Sequence, residues 1–95
     1  MIEILNFRLL PGTDEEAFLD IDHRLQVEFA YQQPGLMRRT TAKSEDGQWI
    51  VVDLWRSPAD ADACAQLWEH DPAVKKFMAL VDPKTVTTAR YFERD

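Results

Sequence analysis

Residues Gln33–Ser57, QPGLMRRTTAKSEDGQWIVVDLWRS, decide the fold. Pro34-Gly35 is a turn signal, and the two segments Leu36 to about Ser44 and Trp49–Trp55 are rich in β-branched and aromatic residues. Between them, Asp46-Gly47 marks a hairpin, because glycine readily takes the positive φ that tight hairpin turns demand. With Asp46 and Gly47 as a two-residue loop, Arg38 faces Trp55, Thr40 faces Asp53, Ala42 faces Val51 and Ser44 faces Trp49. Arg39, Thr41 and Lys43 then line the other face with Leu54, Val52 and Ile50. A three-residue loop flips this pairing. Ser57 closes the stretch as a helix N-cap, with Pro58 at the first helical position and Asp60 in the first turn.

Before this stretch, Ile2–Leu10 reads as a strand ended by Pro11-Gly12. Thr13-Asp14-Glu15-Glu16 forms a capping box with Thr13 as N-cap, and Phe18, Ile21, Leu25 and Phe29 recur at helical spacing to about Gln32. After it, Ala61, Cys64, Ala65 and Trp68 fall on one side of the second helix. Asp71-Pro72 caps a further short helix carrying Val74, Phe77, Met78 and Val81, and Pro83 closes that segment. Thr85 to Glu93 reads as the last strand. The order is β-α-β-β-α-β. Residues 1–95 are therefore expected to form a single ferredoxin-like domain of the α+β class, a four-stranded antiparallel sheet with its helices on one face.

Strand three is apolar on both faces, with Trp49, Val51 and Trp55 on one and Ile50, Val52 and Leu54 on the other. A sheet with one wet face should alternate apolar with polar. The helices can cover only one face, so the expectation is a homodimer through the second. Which face meets the helices stays open at this point.

The net charge of −6, with basic residues scattered, argues against nucleic acid as partner. The single cysteine rules out an intrachain disulfide and points to a reducing, cytoplasmic setting. No signal-peptide pattern opens the sequence, and no apolar run approaches the roughly 18 residues of a membrane span. No membrane association is expected.

A strand ending in Pro-Gly, a helix, then QPGLMRR and a strand ending LWRSPADADA resembles the antibiotic-biosynthesis-monooxygenase-like dimeric α/β-barrel proteins. SEDGQWIVVDLW and FMALVDPKTV are similar to small, functionally uncharacterised members. The resemblance implies two ferredoxin-like sheets paired into a barrel. It implies activities that include cofactor-independent oxygenation of quinol-like or polyketide aromatics, haem breakdown, and isomerisation or decarboxylation of small rings. Trp68 and Ala73 stand where oxygenase-like members of that family carry histidines, and Val74–Leu80 holds no histidine for the haem-degrading role. Haem is not expected.

His23 lies opposite the apolar stripe of the first helix, His70 sits just before a helix cap, and Cys64 occupies an apolar helix position; none reads as a metal ligand or nucleophile. The candidate cluster is on strands two and three. In the two-residue-loop register Arg38 faces Trp55 and lies diagonal to Asp53, and a guanidinium over an indole gains on the order of 0.5–2 kcal/mol. Arg38, Asp53 and Trp55, closed from the helix side by Trp68, Phe77 and Met78, make a candidate wall for a small apolar or aromatic ligand. Two readings follow. One is a cofactor-independent monooxygenase acting on an aromatic or quinol-type substrate, without metal or flavin, with Arg38 stabilising the oxyanion. The other is a non-catalytic binding or stress-related homodimer that uses the same cavity. Apart from these two cavity readings, a purely structural partner module is a third.

Overall fold

In the computed structural model, which describes residues 1–95, the chain runs β1 (Ile2–Phe7), α1 (Glu15–Glu28), β2 (Leu36–Lys43), β3 (Trp49–Trp55), α2 (Pro58–Trp68), α3 (Pro72–Met78) and β4 (Thr87–Tyr91). Short 3₁₀ turns cover Ala30–Gln32 and Pro83–Thr85. All strand pairs are antiparallel, in the order β2-β3-β1-β4. This is the ferredoxin-like α+β arrangement, with the second helical region split into α2 and α3.

The local chemistry sets most boundaries. Ser57 accepts from the Asp60 N–H at 3.2 Å, and Asp71 accepts from Ala73 and Val74 at 2.8 and 3.2 Å, so both caps stand as read. The first cap differs. Asp14, not Thr13, accepts the Glu16 N–H, while the Thr13 hydroxyl donates back to the Leu10 carbonyl at 2.6 Å. Helix α1 also stops at Glu28 rather than near Gln32. Pro34 disfavours helical backbone at Gln33, which is extended (φ −81°, ψ 128°), and the chain tightens into a 3₁₀ turn first.

The hairpin register is the main correction to the sequence reading. Ser44 and Gln48 close the ladder through Ser44 N–H to Gln48 O at 2.8 Å, which leaves Glu45, Asp46 and Gly47 as a three-residue loop. Gly47 holds the left-handed position at φ +91°. The Asp46 carboxylate takes the Ser44 hydroxyl and the Gln48 N–H, so its pKa falls below the ordinary carboxylate range through those two bonds first, with Arg8 adding charge. Arg39 therefore pairs with Asp53, Thr41 with Val51 and Lys43 with Trp49, while Arg38 pairs with Leu54. A bulge between Leu36 and Arg38 leaves Met37 unpaired in the ladder and exposed.

Trp49, Val51 and Trp55 are buried and look at the helices. The core is an aromatic knot. Trp49 stacks on Phe7 (6.5 Å, 10°), Phe18 meets Trp49 at 5.0 Å, and Phe77 packs on Phe18 and Phe7 at 5.3 and 5.5 Å. The other sheet face carries Ile50, Val52 and Leu54 beside Ile2 and Ile4, half-buried within one chain and outside this core. No helix is long and apolar enough to cross a membrane.

Gly35 (φ +84°) lies where the loop from α1 turns into β2, and an added Cβ would overlap the Asp60 carboxyl at the start of α2. Gly12 (φ +81°) has open space around it. Gly35→Ala is expected to lose roughly 2–4 kcal/mol, from backbone strain plus overlap, and Gly12→Ala only about 1–2 kcal/mol from strain. Urea denaturation of the two variants checks the difference, and equal losses would contradict the packing at Gly35.

Candidate functional site

One face of α2 presents Ala61, Cys64, Ala65 and Trp68 to the sheet. Three of these side chains are small, so the helix cannot fill the space beneath it. What remains is a cavity of about 350 Å³, at the lower end of the roughly 300–1,000 Å³ usual for small-molecule sites. Leu5, Val51, Asp53 and Trp55 form its floor, and Met78 contributes from α3.

The register decides the polar part of the wall. Glu3, Asp53 and Arg39 sit side by side across β1, β3 and β2 and line the cavity together. Arg39 is buried, and its Nη2 donates to Asp22 Oδ1 of α1 at 2.7 Å. Its Nη1 donates to Gln26 Oε1 and Thr41 Oγ1, each at 3.3 Å. The Tyr31 hydroxyl accepts the Arg39 N–H at 2.9 Å and donates to the Arg39 carbonyl at 3.3 Å. Arg39 thus ties α1 and the following turn to β2.

Asp53 has no such settlement. Its Oδ1 is sealed from solvent and has no hydrogen-bond partner, and the same holds for Trp55 Nε1. Burial pushes the Asp53 carboxyl up to about 6; Arg39 opposes this, while Glu3 and Asp22 add to it. Glu3 is engaged by Arg90 Nε at 2.8 Å, and Arg90 Nη1 also reaches Asp62 of α2 at 2.8 Å, which fastens β4 to the helix over the cavity. Burial first, then Asp53 and Glu3, push the Cys64 thiol up to about 11, so it is not a nucleophilic thiolate at neutral pH. His23 and His70 are both exposed. No three His, Cys, Asp or Glu side chains converge as a metal site.

Of the six side chains singled out from sequence, Asp53, Trp55, Trp68 and Met78 line the cavity. Phe77 does not. It is fully buried in the aromatic core against Phe7 and Phe18. Arg38 is a correction as well: the three-residue loop turns it to the opposite, open face beside Leu54, away from Asp53 and Trp55. The arginine of the cavity is Arg39. Sequence reading missed Arg39, Asp22 and Glu3. One signal was available, since Asp22 falls on the buried Phe18/Leu25/Phe29 stripe, where a lone carboxylate calls for a buried cation.

No protein-family model matches the sequence, and no curated protein matches it. Solved structures do. SnoaB, a cofactor-independent oxygenase from Streptomyces nogalater, superposes with a TM-score of 0.76 at 19% identity, covering 99% of this chain and 93% of its own. An antibiotic biosynthesis monooxygenase gives 0.69 at 16% identity over 98% and 100% of the two chains. Rv0793 from Mycobacterium tuberculosis gives 0.65 at 16% over 98% and 95%. The chain has the fold of the antibiotic-biosynthesis-monooxygenase-like proteins.

The unsettled Asp53 makes a stability prediction. Its folded-state pKa lies above the ordinary 3.8, so between about pH 4 and 6 the folded protein holds more protons than the unfolded chain. Its contribution therefore worsens as pH rises through that window, and ionised Asp53 costs on the order of 2–3 kcal/mol at neutral pH. Asp53→Asn is expected to melt several degrees above the parent at about pH 7.5, with the gap closing near pH 4. A gap that does not change with pH in thermal melts contradicts the assignment.

Proposed function

We propose that residues 1–95 act as one small-molecule-handling domain, which oxygenates a small phenol- or quinol-type aromatic without metal or flavin. The observation that carries this reading is a largely buried carboxyl, with one oxygen unpartnered, in the wall of an apolar cavity floored and roofed by indoles. With its pKa near 6, Asp53 is a stronger base than an ordinary carboxylate yet still ionised at neutral pH. It accepts the proton of the bound hydroxyl, and the electron-rich ring anion that results reacts with dioxygen. At an activated methylene carbon the balance is simple: the carbon takes one oxygen as a carbonyl and its two hydrogens leave with the other as water. The protein supplies exclusion of water and a fixed pose. Arg39 takes the place first given to Arg38 as the nearby positive charge. The fold shared with SnoaB, a cofactor-independent oxygenase, supports the same reading.

A second reading follows from what surrounds Asp53. Both histidines are exposed, Cys64 remains a thiol and Glu3 is held by Arg90, so neither a histidine nor a thiolate backs the carboxyl. That favours a non-catalytic protein holding the same ligand. Oxygen uptake with a panel of naphthoquinols and anthrones separates the two. Turnover is expected to rise with pH through about 6 and to fall about a hundredfold in Asp53→Asn. No turnover above the blank, together with a retained ligand in native mass spectra, would leave the binding reading.

We also propose a homodimer in a reducing, cytoplasmic setting. Ile2, Ile4, Ile50, Val52 and Leu54 make a continuous apolar patch on the open face, with Arg38 beside it. An identical sheet, related by a two-fold axis, covers this patch as a self-complementary contact. Val52 sits between Ile4 and Thr40 at its middle. Light scattering is expected to give a dimer at micromolar concentration and a monomer for Val52→Lys; a monomeric parent protein rejects the proposal.

A further inference from the structure

Resting on the reading of the cavity as a ligand site, we infer that it admits neutral, hydroxyl-bearing aromatics and turns away aromatic carboxylates, because its wall carries the Asp53 carboxyl with two further acids while its one cation is already paired. The cavity holds one basic residue, Arg39, and three acids, Glu3, Asp53 and Glu69. Arg39 is bound to Asp22 with Nη1 occupied by Gln26 and Thr41, so an incoming carboxylate would have to break a buried pair to use it. Glu3 is held by Arg90, which is shared with Asp62. Glu69 stands exposed at the end of α2, and Cys64 is neutral. From α3 the cavity receives only Met78. The charge next to Asp53 is therefore not positive enough for a second anion.

A neutral hydroxyl suits this wall. It donates to the Asp53 carboxylate and brings no charge of its own. Proton transfer from the hydroxyl to Asp53 only moves one negative charge from carboxylate to substrate oxygen, and the total charge of the cavity stays the same. An aromatic carboxylate instead adds a second charge at low dielectric. It enters with a proton or not at all, since two carboxylates cannot both ionise side by side. Burial already favours the protonated form of Asp53 at mildly acidic pH.

Calorimetric titration under anaerobic conditions, with 2-naphthol and 2-naphthoate as probes, tests this without turnover. At about pH 7.5 the naphthol is expected to bind at least about tenfold tighter than the naphthoate, and naphthoate binding to strengthen as pH drops below about 6. In Asp53→Asn the preference is expected to narrow to within about threefold and the pH dependence to flatten, since no ionisable carboxyl remains there. Equal or tighter binding of naphthoate to the unaltered protein overturns the inference while leaving the cavity as a ligand site. So does a preference that survives Asp53→Asn unchanged. Binding of neither probe overturns the ligand-site reading itself, and this inference with it.

Discussion

The register of one hairpin governs the rest of the molecule. Side chains alternate along a strand, so a loop of two or three residues decides which whole set of β2 side chains faces the helices. With Glu45, Asp46 and Gly47 as the loop, Arg39, Thr41 and Lys43 join Asp53, Val51 and Trp49 on the covered side, and Arg38 joins Leu54 on the open one. The loop is held by its own chemistry: Ser44 bonds the Asp46 carboxylate, the Gln48 N–H reaches both, and Arg8 reaches in from beyond β1. The polar wall of the cavity is a consequence of that turn.

Two carboxylates on the helix side, Asp22 buried and Asp53 largely so, illustrate opposite outcomes of burial. Asp22 is matched at 2.7 Å by Arg39, which is further bonded to Gln26 and Thr41. A buried pair so satisfied adds little net stability but fixes how α1 sits on the sheet, because losing one partner would strand the other charge. Asp53, one strand over, feels the same guanidinium without bonding it, and its Oδ1 is left unpartnered. Stability alone gives no reason to keep such a group. Under the proposed function, its position in the wall of a cavity does.

The cavity itself has a local cause. The inner face of α2 is Ala61, Cys64 and Ala65 before it reaches Trp68, whereas α1 and α3 send Phe18, Leu25, Val74 and Phe77 inward. Large side chains close one half of the sheet with an aromatic knot, and small ones leave a cavity over the other half. Arg90 links Glu3 on β1 to Asp62 on α2 and holds the helix over the space rather than in it.

Much of the fold was legible because it rests on local rules. Turn residues, the caps at Ser57 and Asp71, and periodicities along each segment name the elements and their order, and the two-faced apolar character of β3 shows in Trp49–Trp55 as written. Asp53, Trp55, Trp68 and Met78 could be drawn together from that order. Arg38 could not be told from Arg39, since adjacent residues differ only in which face they take, and that rests on a single loop residue. Phe77 and Met78 are likewise neighbours on one short helix, and only packing sends the first into the core and the second to the cavity. By itself the sequence determined which segments are strands and helices, since propensity and capping act within a few residues. Tertiary structure alone decided the face each strand shows, the partner of each buried charge, and the carboxyl left without one. Those depend on groups brought together from β1, β2, β3 and α1.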